Sequence, residues 1–200
     1  MRQAEGRDLD ALYRISLATG HEGGDASPLY ADPKLIGQIY MAPYVRLAPR
    51  LTLILEDQDG VAGFLVGALD TNAWEERLER EWWPSLRVAH PDPRLAGPEA
   101  SWTPDQRRAD IIHRPRRTPV EVARRYPSHL HLNLLPRAQR LGNGSKMVAH
   151  WWAEHRVGAA HVGVNKANEG GLAFWRGQGF HEVKLTSPPL GRTIWLGRGS

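Results

Sequence analysis

The stretch "LLPRAQRLGNGSKMVAHWW", residues 134–152, decides how this chain folds. It opens as the end of an apolar strand and closes as an amphipathic helix. Between the two lie Gln139, Gly142 and Gly144, with Arg137, Arg140 and Lys146 around them. A helix N-terminus carries unpaired amides and about half a positive charge, which makes it a ready site for phosphate. Glycine at 142 and 144 would let the backbone take positive φ and approach a ligand closely. Gln139 can brace the turn or reach an oxygen. The competing reading is a plain strand-to-helix turn whose glycines serve packing. One residue between the glycines excludes the GxxxxGK[ST] pattern, and the missing third glycine excludes a dinucleotide fingerprint.

Upstream, "SHLHLNLL" alternates Leu130, Leu132 and Leu134 with His129, His131 and Asn133, the pattern of a strand with one apolar and one polar face. Downstream, "AAHVGVN" reads as a strand, "NEGGLAFWRGQ" as a helix, and "GFHEVKLT" with "RTIWLGR" as a last antiparallel pair. Toward the N-terminus, residues 6–20 have helical spacing ending at Gly20. Residues 34–49 read as a second helix, closed by Pro43 and Pro49. Apolar runs near 51–56 and 61–69 flank a hairpin turn at 57–60. Residues 71–127 break the rhythm with seven prolines before Pro127 and predict short helices and loops, an insertion or lid. The order ααββ, insertion, βαβαββ implies an α/β chain with a mixed sheet and helices on both faces.

Two hundred residues suffice for one domain with a full core. A charged content of 24% is ordinary for a globular chain. The formal charge is +4, and only four of 26 basic residues are lysine. Arginine suits bidentate contact with phosphate, although a GC-rich genome also writes it. The absence of cysteine excludes disulfides, thiolate metal sites and a cysteine acyl-enzyme. The first residues hold no continuous apolar stretch, and no run of about 18 apolar residues occurs, so no membrane partner and a cytoplasmic location are expected. His129 and His131 form an H-x-H pair, but no third ligand has convincing spacing, so no metal is expected. Seven arginines between 107 and 125 suggest a solvated insertion, or one touching an acidic substrate, ahead of a nucleic-acid surface. Trp82 and Trp83 read as local core or the wall of an acceptor groove.

Two motifs carry a family resemblance. Gln139-Arg140-Leu141-Gly142-Asn143-Gly144 resembles the Q/R-x-x-G-x-G/A turn of the GNAT superfamily of acetyl-CoA-dependent N-acetyltransferases. Asn168 through Phe174-Trp175 to Gly179-Phe180 resembles its N-x-x-A-x-x-F-Y-x-x-x-G-F segment. The segment from Arg124 to Gly144, the long insertion and Trp82-Trp83-Pro84 look like the acetyltransferase-like domain of bifunctional O-GlcNAcases and its free-standing bacterial relatives. These 200 residues carry no glycoside hydrolase region, so that activity is not expected of them.

The resemblance implies a GNAT fold over residues 1–200, a mostly antiparallel twisted sheet with the 71–127 insertion after the third strand. It implies acetyl-CoA as cosubstrate, held by the backbone from Arg140 through Leu141, Gly142, Asn143 and Gly144 to Ser145, with Arg137 and Gln139 beside it. The pantetheine arm would pair with the fourth strand at Leu134 and Leu135, where that strand splays from the fifth, and Asn168 would contact it. A small-molecule or peptide amine would attack directly, and a homodimer is left open. Two departures stand out: the tyrosine general acid is Trp175, and the acidic residue of the fourth strand is Asn133, which is no base. His131, Asp70 and, from the insertion, Tyr126 are the candidates to replace it. The alternative is a degenerate member that keeps the fold as a ligand- or protein-binding module.

Overall fold

A computed structural model describes residues 1–186 and 191–199. Seven strands form one sheet in the order β1-β2-β3-β4-β5-β7-β6. They are β1 (Arg2–Gln3), β2 (Leu53–Asp57), β3 (Gly60–Ala68), β4 (Ser128–Leu134), β5 (Ala159–Asn165), β6 (His181–Glu182) and β7 (Thr193–Gly199). All neighbours pair antiparallel except β4 and β5. The α/β architecture, with helices on both faces, is the expected one.

Alternation along the strands builds two apolar layers. One sheet face packs on α1 (Leu9–Ala18), α2 (Leu35–Tyr40), α3 (Ala42–Leu47) and the insertion. The other, with Leu130, Val162 and Leu196, packs on α8 (Asn143–Glu154) and α9 (Glu169–Gly177). Trp151 of α8 is fully buried and donates from Nε1 to the Leu51 carbonyl at 3.0 Å. Gly67 of β3 makes room for it: a Cβ there would lie 2.6 Å from the Trp151 ring and 2.5 Å from the His129 carbonyl oxygen. Gly67→Ala should therefore lower stability by about 1–3 kcal/mol, the usual range for overpacking. A urea midpoint equal to the parent's would contradict that tight approach.

The structure corrects three expectations. The second predicted helix is two, because Met41 leaves helical geometry and Pro43 starts α3 afresh. β1 was not foreseen; Arg2 fixes it through a bidentate pair with Asp8, both contacts at 2.8 Å, and a second with Glu56. The insertion is no detached lid. Its helices are α4 (Thr71–Glu81), α5 (Trp83–Ala89), α6 (Pro104–His113) and α7 (Val120–Arg125). Trp74, Leu78, Trp83, Leu86 and Ile112 join the same apolar cluster as α1–α3. Trp82 donates from Nε1 to the Gln38 carbonyl, so neither tryptophan lines a groove by itself.

Candidate active site

The β4–β5 ladder has only two rungs, Ser128↔Ala160 and His129↔His161, after which the strands diverge. On its other side β4 stays paired with β3 through Leu134. Backbone groups of successive strand residues point to alternate edges. Leu135 donates to the Ala62 carbonyl on the β3 side, so Leu132 and Leu134 aim theirs into the gap. The Leu134 carbonyl is taken by the Gln139 side-chain amide at 2.8 Å. The open edge is thus the Leu132 amide and carbonyl and the Leu134 amide. Leu135 does not belong to it, and Leu132, not foreseen, does.

At the end of this gap the chain makes a 3₁₀ turn over Pro136–Ala138 and enters α8. Arg140 has φ 59° and Gly142 φ 75°, both left-handed. The backbone amides from 140 to 145 have no hydrogen-bond acceptor among the described residues. No side chain caps α8: Asn143 turns its amide back to the Ala138 carbonyl at 3.0 Å, and Ser145 accepts from Gln178 at 2.9 Å. Consecutive free amides beside a positive helix end have the chemistry of an anion cradle.

The two glycines have separate causes. A Cβ on Gly142 would meet nothing within 4 Å, so the left-handed backbone is what selects glycine there. Gly144 is helical and buried; its Cβ would lie 2.9 Å from the Phe174 ring and 3.1 Å from Leu132. It serves helix-to-helix packing. Arg137 pairs with Asp57 at 2.9 Å and lines one pocket with Leu141 and Asn143 of the turn.

The polar row of β4 faces helices rather than open solvent: His129 is buried, and His131 and Asn133 are half-buried. His129 is buried with both ring nitrogens occupied. The Thr71 hydroxyl gives its one proton to the Pro127 carbonyl at 2.7 Å, so it accepts from His129 Nδ1 at 2.8 Å. His129 Nε2 then accepts from the Tyr44 hydroxyl at 2.7 Å. This neutral tautomer leaves no lone pair for a metal. Among the described residues no three potential ligand side chains cluster. Tyr44 stacks on Trp74, and burial pushes its hydroxyl well above the ordinary phenol range.

His131 lies half-buried two residues further into the gap, its ring 5.9 Å from those of Tyr44 and His129. Burial, then the neighbouring His161, push it down to about 4. It makes no side-chain hydrogen bond among the described residues, so a lone pair is free. His161 is 1% exposed and pushed down to about 4 by burial. Its Nδ1 donates to the Tyr126 carbonyl at 2.6 Å. Tyr126 thus reaches the site, through its backbone, and its ring lies over Gly197, where a Cβ would come within 2.3 Å.

The remaining candidates are engaged elsewhere. Asn133 donates to the Thr19 hydroxyl at 2.7 Å, which donates to the Ile15 carbonyl, tying β4 to the end of α1. Asp70 caps α4, accepting from the Ala73 amide at 3.0 Å, at the end of β3 remote from the cradle. Asn168 caps α9, accepting from the Gly171 amide at 2.8 Å. Trp175 is core, packed edge-on against Phe174 and Phe180.

No family model matches the chain. The solved structure of SsHAT is 33% identical, covers 99% of this chain and 96% of its own, and superposes with a TM-score of 0.87. The ribosomal-protein-alanine N-acetyltransferase of Brucella melitensis, at 19% identity, 100% and 98% coverage and a TM-score of 0.52, shares the fold. Protein O-GlcNAcase of Rattus norvegicus is 24% identical over 87 residues, 44% of this chain and 9% of that protein. The matched segment is thus a small part of the much longer O-GlcNAcase. A splayed fourth strand, an uncapped α8 and full-length superposition agree: the chain belongs to the GNAT superfamily of acetyltransferases, beside the acetyltransferase-like domain of O-GlcNAcases that its sequence resembles.

Proposed function

We propose that this chain binds acetyl-CoA and transfers the acetyl group to an amine by direct attack. The observation that carries the reading is the pairing of an open β4 edge with the free amides from 140 to 145. The edge suits an extended amide-bearing arm, and the cradle suits its diphosphate. Gln139 and Asn143 hold the turn by their bonds to Leu134 and Ala138.

His131 accepts the proton. A base with a value near 4 cannot strip an ammonium of about 10.4, so the amine reacts as its neutral fraction. As the C–N bond forms and the C–S bond breaks, the nitrogen becomes acidic and its proton passes to the His131 imidazole. The thiolate leaves without a donor, which a thiol of about 8.5 tolerates. Trp175 takes no part.

Calorimetry with acetyl-CoA, followed by thiol release over a panel of amines, tests this. His131→Gln should lower kcat by about 10²-fold with unchanged acetyl-CoA affinity. For a lysine-like acceptor, kcat/KM should climb about tenfold per pH unit between 6.5 and 9. Wild-type turnover in His131→Gln removes the base assignment. Binding without release from any amine leaves the binding-module reading, which Trp175 in the core and the tethered Asn133 favour.

A further inference from the structure

Several of the insertion's arginines are answered within the fold. Arg87 pairs with Glu79, Arg94 with Asp110, Arg114 with Asp92 and Asp110, and Arg117 with Glu75. Arg108 donates to the Tyr30 and Tyr40 hydroxyls. Three cations beside the site differ. Arg124, Arg125 and Lys184 are exposed, and no carboxylate lies within 4.0 Å of any of them among the described residues. They line one groove of about 450 Å³ between α7 and residues 183–186, together with Glu121, Val183 and Thr186. Its single carboxylate, Glu121, is occupied by the Thr186 amide at 3.1 Å. Arg125 lies over the Tyr126 ring, 5.3 Å from its centroid.

The groove adjoins the reaction site. Tyr126 follows Arg125 directly, and its carbonyl orients His161, half of the last rung before β4 and β5 part. Val183 continues the β6–β7 pairing by donating to Trp195, whose ring meets that of His161. A molecule held in the groove therefore lies near the last β4–β5 rung, where the gap begins.

We propose that this groove receives the acceptor and selects an acidic polypeptide, one with carboxylates flanking the amine to be acetylated. The inference rests on the transferase reading and adds the acceptor's chemistry to it. Three cations against the one carboxylate of Glu121 leave the groove net positive, which attracts carboxylates and repels lysine- or arginine-rich tails, the role that charge complementarity plays in partner selection.

Two labelled peptides test it by fluorescence anisotropy without acetyl-CoA: one lysine flanked by glutamates, and one flanked by arginines. The glutamate peptide should bind, weaken with added salt, and lose about tenfold in affinity on Arg124→Glu/Arg125→Glu and again on Lys184→Glu. The thermal midpoint and acetyl-CoA affinity of these variants should match the parent's, which separates lost charge from lost fold. Equal binding of the two peptides, or indifference of the glutamate peptide to all three substitutions, overturns the proposal. So does tighter, substitution-sensitive binding of a single-stranded oligonucleotide, which would make the groove a nucleic-acid surface. Peptide failure with intact acetyl-CoA calorimetry rejects the acceptor assignment alone; calorimetric failure with peptide binding intact rejects the transferase reading.

Discussion

Gly142→Asp should abolish acetyl-CoA binding, weakening it by about 10³-fold, while Gly142→Asn keeps most of it. Two unit charges about 4 Å apart near a protein surface interact by about 4 kcal/mol, and a diphosphate brings more than one charge to the cradle. The pair of variants separates charge from backbone. Gly142 is left-handed, a conformation that asparagine and aspartate tolerate best among other residues, and a Cβ there meets open space. Both variants should therefore fold with thermal midpoints near the parent's. Calorimetry at low and high salt reads the difference. Gly142→Asp retaining its affinity would mean that the amides from 140 to 145 do not hold the diphosphate.

The second large effect is acid lability. His129, His131 and His161 are all pushed below the ordinary imidazole value of 6.5, mainly by burial. The folded chain holds them neutral, and the unfolded chain protonates them first. Between about pH 6.5 and 4 the unfolded state binds more protons, so stability falls as pH falls; above pH 7 these groups contribute no slope. His161 alone, almost fully buried and near 4, accounts for on the order of 3 kcal/mol lost by pH 4. Protonating His129 would also force a second donor onto the Tyr44 hydroxyl that now donates to it. Urea midpoints from pH 7.5 to 4.5 measure the slope. His161→Asn keeps a donor for the Tyr126 carbonyl and removes the titrating ring, so its profile should be flatter. A parent midpoint independent of pH over that range would refute the neutral cluster.

Much of this was legible in the sequence, for local reasons. The alternation of Leu130, Leu132 and Leu134 marked β4, and Gln139 to Gly144 marked the turn into α8. What stayed hidden depends on tertiary register. Leu132 rather than Leu135 faces the gap because β3 pairs with β4 in one register and takes the Leu135 amide. Gly144 needs the Phe174 ring beside it to explain it. The polar row of β4 read as a wet face, yet Tyr44, Thr71 and Thr19 lie on it, contributed by segments 58 to 114 positions away in sequence. β1, two residues long, has no period to detect, and its anchor is the distant Glu56.

The parting of β4 and β5 gives this sheet four borders where an ordinary open sheet has two. The outer pair, β1 and β6, are each two residues long, too short to template another strand. The inner pair lies between the two apolar layers. Whatever extended ligand enters there acts as a missing strand, so occupancy and completion of the sheet become one event, and the liganded protein gains cohesion across its own midline.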